Sequence, residues 1–246
     1  MDSNMIEGRN PVIEALKAER DIDKILVSKG NKEGSIKKII SIAKEKKILI
    51  QYVDRNKLNQ LSESRAHQGV IAFVAAYKYY EIEDIIESAR NKNEDIFLII
   101  LDEINDPHNL GSIIRTANAC GVHGVIIPKR RAVGLTAVVA KTSAGAIEYV
   151  PVSKVTNLSR TIDYLKGQGI WVIGADMEGE NVHYESDLSG NVALVIGSEG
   201  KGISRLVKEK CDFLVKLPMK GQLSSLNASV AASVLMYEVI RQREFR

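Results

Sequence analysis

From Ile96 onward, short and almost wholly apolar runs recur along the chain: IFLIILD (96–102), GVIIP (124–128), IWVIGAD (170–176), VALVIG (192–197) and FLVKL (213–217). A strand that is apolar at nearly every position has to be buried on both faces. That condition is met by a parallel sheet covered with helices on either side. The intervening segments have a helical repeat, which predicts helices over 110–121, 135–144 and 158–166, another from Ser204, and a long one over 224–243. Right-handed, unknotted crossovers are the rule in such sheets, and periodicity alone gives no sign of a departure from it.

The first 78 residues mix the two periods differently. They predict helices over 11–18 and 35–46, with Ile36, Ile39, Ile40 and Ala43 on one face of the latter. A short helix is expected over 55–61, and strands over 24–28, 48–53 and 69–76. This is a small α/β unit. The acidic stretch YYEIEDIIESARNKNED (79–95) reads as a linker containing a short helix, so the division is 1–78, 79–95 and 96–246. Charge follows the same division. Residues 1–78 hold 15 Lys/Arg against 10 Asp/Glu, 79–95 hold 2 against 6, and 96–246 hold 17 against 15. The excess positive charge therefore lies in the first unit, as in an RNA-docking domain, although lysines such as Lys37, Lys38, Lys44, Lys46 and Lys47 also suit the solvated face of a helix.

No run approaches the ~18 apolar residues of a membrane span. The opening MDSNMIEGRNPVIEAL lacks the order of a signal peptide, so a cytoplasmic protein without membrane contact is expected. Cys120 and Cys211 stand in no metal or redox spacing; each reads as a buried, inert thiol, and no metal is expected.

Neither a G-x-G-x-x-G fingerprint after a first strand nor a G-x-x-x-x-G-K-[ST] loop is present, which removes the usual support for dinucleotide and P-loop readings. The glycines come late, in IGSEGKGIS (196–204), followed by KLPMKGQLSSLNASVAASVLMYEVI (216–240). Taken alone, GSEGKG is either a tight strand-to-helix turn or a loop that lets a ligand approach the backbone. Beside the Pro218–Asn227 segment, a ligand pocket is the better reading, and a side chain at Gly197 is expected to obstruct it at little cost to folding. Ser225 and Asn227 stand where polar side chains cap helices. Glu199 is an anion suited to a helix start or an acceptor in a site. In DPHNLGSIIRTA, Asn109 opens a helix and Arg115 lies six residues on, off the same stripe, as a site residue or a surface residue. His108 reads as structural, and Lys129, Arg130 and Arg131 as a phosphate-contacting loop or a solvated loop end.

The segments DEINDPHNLGSIIRTANACG (102–121), IGSEGKGIS and KLPMKGQLSSLNASVA resemble, in order, the three motifs of the SpoU/TrmH family of SPOUT RNA 2′-O-ribose methyltransferases. EGRNPVIEAL (7–16) and HQGVIA (67–72) resemble the substrate-binding domain of the RlmB-like branch. The resemblance implies a C-terminal parallel-sheet SPOUT domain with a trefoil knot from about Val192 to Ile240, preceded by a small ribosomal protein L30e-like RNA-binding domain that includes Arg9. It implies S-adenosylmethionine held near Ala175, Gly197, Leu217, Met219 and Leu226. Asn109, Arg115, Glu199, Ser225 and Asn227 form the implied catalytic centre. There Arg115 acts on the 2′-OH, Glu199 holds Asn109 and Arg115, and Ser225 and Asn227 meet ribose or cofactor. A guanidinium keeps its proton in proteins, so an orienting role suits Arg115 better than that of a base. The branch implies a guanosine of large-subunit ribosomal RNA, with a tRNA ribose as the alternative, and a homodimer packed through the C-terminal helix. A non-catalytic RNA-binding protein is the rival from another class, but it has no need of all five residues. The 2′-OH restricts such chemistry to RNA.

Overall fold

The computed structural model describes residues 5–18, 20–30, 34–62, 66–74, 77–222 and 224–245. Two compact units divide between Lys78 and Tyr79. In the first, β1 (Met5–Glu7), α1 (Arg9–Lys17), β2 (Ile22–Ser28), α2 (Ser35–Glu45), β3 (Leu49–Val53), α3 (Arg55–Leu61) and β4 (Val70–Val74) form a sheet of order β1-β4-β2-β3. Strand β4 is antiparallel to β1 and β2, and β3 is parallel to β2. Alternation sorts the core into two layers: Ile25, Val27, Val70 and Ala72 meet α1 and α2, whereas Leu26 and Ile71 meet Leu58 of α3. The strand expected over 69–76 extends over Val70–Val74, and Ala75 and Ala76 lie outside the described residues.

The second unit runs through α4 (Ile82–Asn91), β5 (Phe97–Leu101), α5 (Pro107–Ala119), β6 (Gly124–Pro128), α6 (Ala137–Thr142), β7 (Val152–Val155), α7 (Leu158–Gly167), β8 (Trp171–Ala175), β9 (Asn181–Val182), β10 (Val192–Ile196), α8 (Arg205–Lys208), β11 (Phe213–Lys216) and α9 (Ala228–Glu244). Its seven strands are all parallel, in the order β7-β6-β5-β10-β8-β11-β9. Alternate residues of β5 face opposite layers. Leu98 and Ile100 join a core with α4, α7 and α8, while Phe97 faces α9, whose Arg243 guanidinium lies 5.1 Å from its ring centroid. No described helix is long and apolar enough to cross a membrane.

Strands β1, β7 and β9 have no counterpart in the expectation, and two predicted segments differ from it. Segment 79–95 is not a connector: Ile82, Ile85, Ile86 and Ala89 are buried in the core of the second unit, and Ile85 occupies the space that a Cβ on Gly124 would need. Its acidic composition reflects the solvated side of an amphipathic helix, whose apolar side closes the sheet. Helix α5 starts at Pro107, three residues before the predicted start. Asp106 caps it by accepting from the His108 N–H at 2.9 Å, and Pro107 sits in the first turn, where its missing N–H costs nothing.

Candidate active site

The sheet order reverses at β5: the chain moves outward through β6 and β7, then returns to fill the other side. In parallel sheets, ligands bind at the carboxyl ends of the strands beside such a switch point. Here those ends carry Asp102 after β5, Gly197 after β10, Ala175 on β8 and Leu217 after β11.

The loop after β10 is a closed turn. Ser198 N–H donates to the Gly202 carbonyl at 3.1 Å, Gly202 N–H returns a bond to the Ser198 carbonyl at 2.8 Å, and Gly202 takes φ +65°. The far end is fixed by the buried Asp102 carboxylate, which accepts from Ser204 N–H at 2.7 Å. Gly197 serves this turn: a Cβ there would lie 2.1 to 2.3 Å from backbone atoms of Gly202 and Ile203. A side chain at Gly197 therefore deforms the loop itself, contrary to the expectation of little cost to folding.

At the tip, Glu199 Oε1 accepts from Asn109 Nδ2 at 3.0 Å, from Ala228 N–H at 3.3 Å, and from Asn227 Nδ2. Asn227 Nδ2 also donates to Asn109 Oδ1 at 2.9 Å. The Asn227 Oδ1 caps α9, accepting from the Ser229 and Val230 N–H groups at 2.9 and 3.3 Å. Three side chains from three segments thus share one network, with the Glu199 carboxylate at the positive end of α9. The network fixes both amides in orientation without help from a ligand.

Beside it lies a cavity of about 430 Å³. Ala175, Gly197, Leu217, Met219 and Leu226 all line it, as do Glu199 and Ser225. Its wall also contains a cluster that sequence reasoning missed. Lys208 Nζ pairs with Asp176 at 2.8 Å and Glu178 at 2.9 Å, and the Asp176 bond, then that to Glu178, hold the ammonium above its ordinary pKa. Asp176 follows β8 and Lys208 ends α8, and no short-range pattern joins them.

Arg115 is elsewhere. It is exposed on α5, forms no hydrogen bond or ion pair among the described residues, and does not line the cavity, so Glu199 holds Asn109 but not Arg115 within one chain. Lys129, Arg130 and Arg131 follow β6 at the carboxyl end of the same sheet; Arg131 pairs with Glu103 at 3.0 Å. Arg9 lies in the first unit, bonded to Gln68. His67 is buried; its Nδ1 accepts from Gly69 N–H at 3.0 Å, so Nε2 donates to Asn59 Oδ1 at 2.8 Å. The HQG motif is thereby a turn lock. His108 lies in the first turn of α5 with its side chain exposed. Cys120 is buried as expected, whereas Cys211 is only half-buried; desolvation pushes both thiols up, Cys120 to about 11 and Cys211 to about 12. Among the described residues no His/Cys/Asp/Glu group could hold a metal ion.

An open parallel sheet with a preformed pocket at its switch point defines a small-ligand enzyme fold. Sequence comparison narrows it. Residues 96–237 match the SpoU rRNA Methylase family, and residues 5–80 match the domain described as RNA 2'-O ribose methyltransferase substrate binding. The chain is 56% identical over 236 residues, 96% of its length and 94% of the relative's, to YacO of Bacillus subtilis (strain 168), which is assigned to the TrmH family of tRNA/rRNA methyltransferases. Among solved structures it is similar to the SpoU methyltransferase AviRb from Streptomyces viridochromogenes, with a TM-score of 0.61 and 25% identity over 98% of this chain and 89% of that one. A second structure of AviRb contains AdoMet (TM-score 0.62, 24% identity, covering 97% and 90%). The chain belongs to the SpoU/TrmH family of RNA methyltransferases, with a substrate-binding first domain.

Proposed function

We propose that the protein transfers the methyl group of S-adenosylmethionine to a ribose 2′-OH of RNA, with the cavity beside Glu199 as the cofactor site. One observation carries the reading: Asn109, Glu199 and Asn227, which lie 90 and 118 residues apart as bonded pairs, converge in a single network at that cavity. The cavity suits the cofactor. Its volume is in the range of small-molecule pockets, roughly 300–1,000 Å³. Leu217, Met219 and Leu226 offer apolar contact, and Glu199 places a carboxylate at the wall, while Asp176 and Glu178 are paired with Lys208. We place the family's trefoil knot over the span from about Val192 to Ile240.

When bound, S-adenosylmethionine supplies an electrophilic methyl group on a sulfonium sulfur. What remains for the chain is to aim a hydroxyl along the line of displacement and to stabilise the charge that develops. Glu199 locks the Asn109 and Asn227 amides, so they meet the ribose without reorganising. Ser225, on the cavity wall, contacts ribose or cofactor. Arg115 orients the 2′-OH and its neighbouring phosphate. Because it stands apart from its own chain's network, this role requires a homodimer in which it reaches the partner's site.

For the substrate we favour a guanosine of large-subunit ribosomal RNA, as in the RlmB-like branch, because a substrate-binding domain precedes the catalytic one. The tRNA reading is kept by YacO, whose name covers both RNAs. Mapping ribose methylation in rRNA and tRNA of a deletion strain decides between them. Loss of one rRNA 2′-O-methyl mark supports the reading, and loss confined to tRNA replaces it. Purified protein that moves no labelled methyl to RNA isolated from that strain overturns the activity itself.

A further inference from the structure

A second cavity, of about 450 Å³, lies within the first unit, lined by Arg9, Ser28, Arg55, Gln68 and Gly69. It is built where β1 ends, β2 ends at Ser28, β3 gives way to α3, and β4 begins. Gly8 N–H bonds to the Val70 carbonyl at 3.2 Å, and Ser28 N–H to the Gly69 carbonyl at 2.9 Å, so these ends are tied together. Gln68 takes φ +49°, a left-handed conformation uncommon for a residue with a side chain. In that conformation its carbonyl accepts from Arg9 Nε at 3.1 Å, and its side-chain oxygen accepts from Arg9 N–H at 3.3 Å. Arg9 is thereby held by Nε, and its terminal amino groups have no partner among the described residues. Arg55 forms no ion pair or hydrogen bond among them either. The neighbouring acid, Asp54, pairs instead with Lys29 at 3.2 Å, and among the described residues no carboxylate lines the cavity.

Both arginines are the first residues of their helices, and neither helix has an acidic residue in its first turn. That is the wrong end for a cation, so neither charge is there to stabilise its own helix. Two guanidinium groups facing one cavity, one of them fixed by a strained turn, form the geometry that binds a phosphate oxyanion. Resting on the RNA-methylation reading above, we infer that Arg9 and Arg55 form an anchoring site for a backbone phosphodiester of the RNA substrate.

The test uses the full chain and a 20-nucleotide single-stranded oligouridylate, because a backbone contact does not depend on base identity. RNA affinity is measured by fluorescence anisotropy from 50 to 400 mM salt for wild type, Arg55→Ala, Arg55→Lys and Arg55→Glu. Each phosphate contact on a single strand contributes about 0.7 to the slope of log affinity against log salt. Arg55→Ala is expected to lower the slope by roughly that amount and to weaken binding about three- to tenfold near 0.1 M salt. Arg55→Lys should recover most of the slope, because it restores the charge, and Arg55→Glu should weaken binding further. The melting temperature and S-adenosylmethionine affinity should stay at wild-type values. An unchanged slope in Arg55→Ala and Arg55→Glu overturns the site while leaving the methyltransferase reading intact. Calorimetry with inorganic phosphate gives the other arm. Arg55-dependent phosphate binding without a change in the RNA slope identifies a free-anion site and likewise overturns the proposal. The activity reading fails separately, through absence of labelled methyl transfer to RNA by the wild-type enzyme.

Discussion

A carboxylate that accepts from two side-chain amides and a helix N-terminus holds all three only while it has acceptor capacity and charge. Glu199→Gln keeps one carbonyl oxygen for these donors but removes the negative charge that strengthens all three bonds, so Asn109 and Asn227 are held less firmly. Turnover is expected to fall about 10²- to 10³-fold, the scale seen when one preorganised polar group is removed. The stability loss should be about 1–2 kcal/mol, because the cluster is partly solvated. Methyl-transfer kinetics and denaturant unfolding measure the two, and turnover within twofold of wild type places the active centre elsewhere. Gly197→Val forces a Cβ into the Gly202 backbone, so we expect a loss of about 1–3 kcal/mol of stability together with weaker cofactor binding. Gly200 lines the same cavity with open space at its Cβ position, so Gly200→Ala should fold as wild type; equal melting temperatures for the two variants would contradict the packing role of Gly197. The two desolvated thiols give a pH signature. Cys120 and Cys211 stay protonated in the folded chain to about 11 and about 12, against an ordinary 9.0. Above pH 9 the unfolded chain therefore binds fewer protons than the folded one, and stability falls as pH rises. At pH 8 neither thiol should react with iodoacetamide until the protein is unfolded; labelling at the native rate of a free thiol contradicts this.

Among the elements, the apolar strands were the legible part, because a run such as IFLIIL has no other stable environment than a sheet buried on both faces. Strand β9 has two residues, too few to show a pattern. Helix α4 was legible as a helix but not as core, since its acidic side dominates composition while its four buried residues decide its place. The start of α5 was written in Asp106-Pro107, a cap followed by a proline, and was masked by the stronger apolar repeat from Leu110. The Asn109–Glu199 bond came from the family resemblance and not from spacing, the bonds from Asn227 to Glu199 and Asn109 were implied by neither, and the Lys208–Asp176 pair had no sequence signal. Helix α9 has an anchor of the same silent kind. Arg243 donates to the carbonyls of Ser189, Gly190, Asp95 and Ile96, and desolvation lowers its pKa. Arg243→Ala leaves these carbonyls at the amino ends of β5 and β10 short of donors, and should cost about 2–4 kcal/mol in urea unfolding. A loss under 0.5 kcal/mol would mean that water replaces the guanidinium at no cost.

At the scale of the whole molecule, the division at Lys78 and the proposed sharing of the site between two chains make separate demands. A catalytic fragment beginning at Tyr79 keeps α4 and should fold and bind S-adenosylmethionine, whereas one beginning at Ile96 exposes the apolar patch that Ile82, Ile85, Ile86 and Ala89 cover and should aggregate. Equal solubility of the two fragments would return α4 to the status of a linker. Helix α9 then raises the question of assembly. Its Ala232, Leu235, Met236 and Val239 are buried, yet Val230, Val234 and Tyr237, spaced four and three apart, remain 47%, 40% and 56% exposed. A helix apolar on two sides needs a second cover, and we propose that a second copy of this chain is that cover and brings an Arg115 with it. Light scattering is expected to give twice the 27.1 kDa chain mass, and Val234→Glu should give an inactive monomer. The shared site has a sharper test. Arg115→Ala and Glu199→Gln are each expected to be inactive alone, but a heterodimer of the two contains one site with an intact Glu199 from one chain and an intact Arg115 from the other. Random exchange of subunits in an equal mixture puts about half the chains' dimers in that form, restoring up to roughly a quarter of wild-type turnover. If Arg115 acted within its own chain, no arrangement of the mixture would contain a complete site, and activity would stay at the level of the single variants.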